Sequence, residues 1–203
     1  WDGTSWSAVG SSMNDGVHAL TTFDDDGPGP HLPALYAAGY FTTAGGVEAK
    51  GIAKWDGTSW SALGDGIGGG VHVLAVFDDD GPGAHLPALY AGGPFNSAGS
   101  ANAEGIARWD GTSWAPLGGG IRWSADPDDA RPNWSEVLGL SDVRALTVLD
   151  DDGAGPRPPV LYVVGRFTTA GDANADNIAK WNGSRWSAIG SGLDWRRQEL
   201  HPG

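Results

Sequence analysis

The 203-residue sequence has no cysteine and one methionine, and it sets 12 lysine and arginine residues against 25 aspartates and glutamates. Without cysteine there is no disulfide, no thiolate metal ligand and no thiol nucleophile. A formal net charge of −13 argues against a basic face that could neutralise phosphates, so nucleic acid is not an expected partner. No apolar run approaches the roughly 20 residues of a membrane-spanning helix, so direct membrane insertion is not expected either. Amphipathic helical periodicity is also missing. What remains is rich in 34 glycines, 13 prolines and 11 tryptophans, a composition of many short strands separated by tight turns.

The segment WDGTSW opens the chain, recurs unchanged at 55–60 and 109–114, and returns as WNGSRW at 181–186. The first two intervals are 54 residues and the third is 72, which is one repeat plus 18 residues. Residues 1–54 and 55–108 are identical at roughly two-thirds of positions. A motif copied four times at a set spacing belongs to architecture, because one active site needs its chemistry only once.

Each repeat reads as four strands. In the second, VHVLAVF is followed by the turn-rich DDDGPGAHLP, then the apolar run ALYAGGPF, the small polar loop NSAGSANAE, and two short strands, GIARW and SWAPLG. The last two are joined by Asp110-Gly111, a strong hairpin signal, since aspartate bonds forward to the backbone and glycine accepts positive φ. The paired tryptophans flanking this turn are expected to clamp the hairpin or pack on the neighbouring unit, against the alternative of an exposed aromatic platform.

A four-stranded sheet repeated about every 50 residues predicts an all-β, β-propeller-type array of antiparallel blades. The blades are expected at 17–64, 71–118 and 143–190, with 1–10 as the outer hairpin of a preceding blade. Residues 119–142 form an inserted connector, and 191–203 a connector to a further blade. Three blades and an orphan hairpin give an open arc or a piece of a larger propeller, since rings close with about four to eight blades. The sequences LYAGGPF and IARWDGTSWAPLG resemble Kelch repeats, in which Gly-Gly ends the second strand and an aromatic-Asp turn leads to a tryptophan in the fourth. Trp-Asp-Gly at the hairpin and the acidic loop depart from that pattern and are similar to Trp-Asp-Gly repeats of secreted bacterial proteins. The resemblance implies an extracellular or cell-surface location.

Two regions are candidate sites. The triplets containing Asp24, Asp26, Asp78, Asp80, Asp150 and Asp152 are oxygen-rich and Gly-followed, which suits either calcium or solvated loops that protect a sheet edge. Calcium is the one candidate cofactor. The connector, the one stretch that breaks the repeat, carries Trp123, Asp126, Asp128, Asp129, Arg131, Trp134 and Glu136. Long non-repeating loops on a rigid scaffold are where binding concentrates, here of carbohydrate or protein. His18 and His72 share one repeat position and His31 and His85 another. The third repeat has Arg144 and Arg157 there, which does not suit a metal site built by symmetry.

The leading expectation is a non-catalytic scaffold or binding module, able to self-assemble through exposed blade flanks. Its partners would be other copies of itself or the missing part of the same protein. The alternative is a carbohydrate-active enzyme, a glycoside hydrolase or lyase, using connector acids at the propeller mouth.

Overall fold

In the computed structural model, residues 3–81, 86–123, 141–153, 155 and 157–193 are described. Among them there is no helix, and the core consists of three four-stranded antiparallel sheets. The first is formed by β1 (Val17–Phe23), β2 (Ala34–Gly39), β5 (Ile52–Trp55) and β6 (Trp60–Ala62), in that order. Its counterparts are β8 (Val73–Phe77), β9 (Ala88–Gly92), β12 (Ile106–Trp109) and β13 (Trp114–Pro116), then β15 (Asp142–Leu149), β16 (Val160–Arg166), β19 (Ile178–Trp181) and β20 (Trp186–Ala188). The first strands of the three units neighbour one another, with β8 packed against both β1 and β15. The second strands are apolar almost throughout because both faces are covered; every residue of β9 is buried.

The polar loop between second and third strands is more ordered than its composition suggests. It folds into a short hairpin, β10 (Phe95–Ala98) with β11 (Ala101–Asn102) in the second unit and β17 (Thr169–Ala170) with β18 (Ala173–Asn174) in the third. The connector arriving from the preceding unit adds a strand to it: β7 (Ile67–Gly69) pairs with β10, and β14 (Ile121–Arg122) with β17. In the first unit β3 (Thr43–Ala44) pairs with β4 (Val47–Glu48), and Met13 bridges to Ala44. A segment rich in small residues lacks the β-branched pattern that marks a strand, and here pairing supplied by the neighbouring unit overrides local propensity.

The Trp-Asp-Gly hairpins lock one unit to the one before it. The indole N–H of Trp60 donates to the Val9 carbonyl at 3.1 Å, Trp114 to Leu63 at 3.0 Å and Trp186 to Leu117 at 3.1 Å. In the hairpins at 55–60, 109–114 and 181–186 the two tryptophans lie 5.2 to 5.3 Å apart, centroid to centroid. Gly118 shows why the residue after the accepting strand is glycine: it has φ +48°, and a Cβ there would lie 2.4 Å from Trp181. Residues 3–10 form no strand of their own, having no second or third strand to pair with, and Trp6 is 83% exposed.

The turn itself is held by an aspartate. Asp110 Oδ1 accepts the N–H groups of Thr112 and Ser113 at 2.9 and 2.8 Å, as Asp56 does those of Thr58 and Ser59. Burial works against the Asp110 charge, but these N–H groups and the two hydroxyls outweigh it and hold the carboxyl at about 2. The same bonds, the Ser59 N–H foremost, hold Asp56 well below the usual carboxylate range. A depressed carboxyl contributes stability above its unfolded pKa, near 3.9, and that contribution is lost as pH falls through the folded value. Asn182 makes the same bonds in the third unit without a charge. An Asp56→Asn, Asp110→Asn variant is therefore expected to fold normally at neutral pH and to unfold less steeply between about pH 4 and 2, followed by tryptophan fluorescence. An unchanged acid transition would contradict this.

Candidate functional site

A cleft of about 670 Å³ opens where the three units meet at the connector end of their first strands. Its floor is apolar, with Phe41 and Ile67 fully buried, and the glycine run Gly68–Gly70 forms one wall. Four polar side chains from all three units converge on it. The Tyr40 hydroxyl lies 2.8 Å from His72 Nε2, His72 Nδ1 lies 2.8 Å from Asp142 Oδ1, and Arg144 Nε donates to Asp142 Oδ2 at 2.8 Å.

Strand irregularities aim these groups. The β1–β2 and β15–β16 pairings shift register between Val17 and Ala19 and between Val143 and Ala145, leaving His18 and Arg144 as bulged residues. Bulges commonly re-aim a side chain beside a functional site. His72 occupies the same repeat position, and its ring lies 5.5 Å from that of His18. Asp142 is 6% exposed; a carboxylate buried so deeply requires charged or hydrogen-bonding partners, and His72 and Arg144 supply them. His72 Nδ1 faces the Asp142 carboxylate and Nε2 faces the Tyr40 hydroxyl, so the donor in the Tyr40–His72 bond is set by the tautomer of the ring. Burial raises Tyr40, the Asp142 charge adds to this and Arg144 partly offsets it, so the phenol stays protonated at neutral pH.

The middle aspartates of the acidic loops are braces. The middle aspartate of each triplet accepts a tyrosine hydroxyl from the second strand: Tyr36 to Asp25 at 2.9 Å, Tyr90 to Asp79 at 3.1 Å, Tyr162 to Asp151 at 3.3 Å. A cation from the third strand joins it, Lys54, Arg108 or Lys180. Of the outer aspartates, Asp26 takes the N–H and ring of His31 within its own loop, and Asp152 takes Arg157. Among the described residues no three histidine, aspartate or glutamate side chains group as a metal site. The hairpins and acidic loops do share one face: a Cβ on Gly111 would lie 2.4 Å from the Asp25 carbonyl, and one on Gly183 2.1 Å from that of Asp79.

Of the connector candidates, Trp123 lies beside the third unit with the Arg166 guanidinium 5.5 Å from its ring centroid. Asp126, Asp128, Asp129, Arg131, Trp134, Glu136 and also His85 lie outside the described residues. Among the described residues the connector's contribution to the cleft is its last, Asp142, which the sequence reading did not single out. Nor did that reading select Tyr40. The available signal was divergence between copies: Tyr40, Pro94 and Arg166 share one repeat position, and Gly16, Gly70 and Asp142 another. The cleft's floor includes Phe41, which the copies share, while Tyr40, Asp142 and Arg144 stand at positions where the copies differ.

No protein-family model, curated protein or solved structure matches the chain. No helix among the described residues is long and apolar enough to cross a membrane.

Proposed function

We propose that the chain is a non-catalytic binding and scaffold module of β-propeller-type, Kelch-like blades, working outside the cell or at a bacterial cell surface. The observation that carries this reading is where the repeated side chains go. The tryptophan pairs join units, the Asp-Tyr-cation sets brace each acidic loop, and neither repeats a chemical constellation open to substrate. The flanks of the array add a docking role. Val17 is 44% exposed in the first unit, whereas its counterparts Val71 and Val143, each covered by a preceding unit, are fully buried. Another copy, or the remainder of a longer protein, is the partner for that flank.

The competing reading, a glycoside hydrolase or lyase, draws support from Asp142, a connector acid that does reach the cleft. Such an enzyme uses two carboxylates about 5–10 Å apart. Among the described lining residues Asp142 is the single acid, and it is paired with Arg144 and His72. Incubation with neutral and acidic oligosaccharides is expected to release no new reducing or unsaturated ends. Release abolished by Asp142→Asn would establish the enzyme instead.

Calcium remains the candidate cofactor, at the outer aspartates of the triplets. If calcium binds at all it uses these loops and not the histidines, so any calcium heat in calorimetry is expected to fall in an Asp78→Asn, Asp80→Asn variant; equal heats would remove the site.

A further inference from the structure

We infer that the cleft binds a hydroxylated carboxylic acid, a uronic acid unit of an oligosaccharide, through Arg144 and Tyr40. The inference rests on the binding-module reading and names the ligand class of that site. It follows from counting which hydrogen-bonding groups are already spent. Asp142 accepts Arg144 Nε on one oxygen and lies 2.8 Å from His72 Nδ1 with the other, and the second nitrogen of His72 pairs with the Tyr40 hydroxyl. These three links immobilise the polar wall without using all of it. Arg144 donates through Nε alone, its terminal N–H groups have no partner among the described residues, and its side chain is 62% exposed. A guanidinium held by one edge and open at the other is suited to a carboxylate, which it meets with paired N–H donors.

Tyr40 adds the second element of recognition. With one hydrogen bond spent on His72, its hydroxyl keeps capacity for a second, which suits a ligand hydroxyl that can both donate and accept. Lys50, also lining the cleft and 54% exposed, touches Glu48 at 3.2 Å and keeps further donors for ring or exocyclic oxygens. Gly70 lets the Tyr40 ring seat on the glycine wall, since a Cβ there would lie 2.3 Å from that ring. The cleft volume is within the range of pockets for small ligands of this size. In a chain of net charge −13, two cations on a cleft wall whose single described acid, Asp142, lies buried between Arg144 and His72 form a local anion site.

Calorimetric titration of the whole chain with galacturonic acid, and in parallel with galactose, tests this, since the two sugars differ only in the carboxylate. The acid is expected to bind about tenfold or more tightly than the neutral sugar. Arg144→Gln is expected to bring the acid down to the affinity of galactose with the far-ultraviolet spectrum unchanged, because Arg144 is largely exposed. Arg144→Lys should restore part of the preference, and Tyr40→Phe should weaken both sugars. Equal affinities for acid and neutral sugar, heats from neither, or full acid binding by Arg144→Gln would overturn the assignment. Acetate binding as tightly as galacturonic acid would reduce it to a plain carboxylate site and equally refute the sugar acid. None of these outcomes bears on the reducing-end assay, so a failure here is separable from a failure of the non-catalytic reading.

Discussion

Trp114→Ala is expected to destabilise the chain by about 3–5 kcal/mol, the range for removing a large buried aromatic. Trp114 is 8% exposed at the junction of the first and second units, and its core cluster includes Leu63, Leu89, Ala91 and Ala107 from both. Removing it leaves a cavity between two sheets and strands the Leu63 carbonyl that accepted the indole N–H at 3.0 Å. Trp6 stands at the same place in the repeat and is 83% exposed, so Trp6→Ala should change stability by less than about 0.5 kcal/mol. Denaturant titrations of both variants give the comparison. Equal losses would mean that hairpin formation, and not contact between units, is what the second tryptophan stabilises.

That contrast marks what could be read from the residues and what could not. The hairpin turn was legible because Asp-Gly and Asn-Gly carry their own local chemistry, and the long apolar second strands because burial on both faces leaves no polar alternation. Strand pairing of NSAGSANAE was not legible, since it depends on a connector supplied by the preceding unit. The acidic triplets illustrate a different limit. Their composition reads as ligand-binding or solvated, while the hydroxyls of Tyr36, Tyr90 and Tyr162, 11 residues downstream, show the middle aspartate to be a structural brace. The cleft was hidden for a third reason. Tyr40, His72 and Asp142 are 32 and 70 residues apart in sequence, so only packing of the three units brings them together. His72 drew attention as a repeated histidine, but its partners occupy positions where the repeat is broken.

Each unit presents two complementary flanks, one matched to the unit before and one to the unit after. The first unit exposes the leading flank, with Leu20 at 62%, where Leu74 and Leu146 pack against the core. The third exposes the trailing flank, with Leu149 at 51%, where Phe23 and Phe77 are 4% and 2% exposed. Head-to-tail contact between copies would cover both at once and is heterologous, so it can propagate or close into a ring. Burying a few hundred Å² of apolar surface at about 25 cal/mol per Å² favours association by several kcal/mol before the cost of lost freedom. Light scattering on the 203-residue chain at micromolar concentration is the direct measurement. A mass above the 20.9 kDa of one chain, returning to it in a Leu20→Asp variant, is the predicted result. A soluble, cooperatively folding monomer of the unaltered chain would contradict the claim.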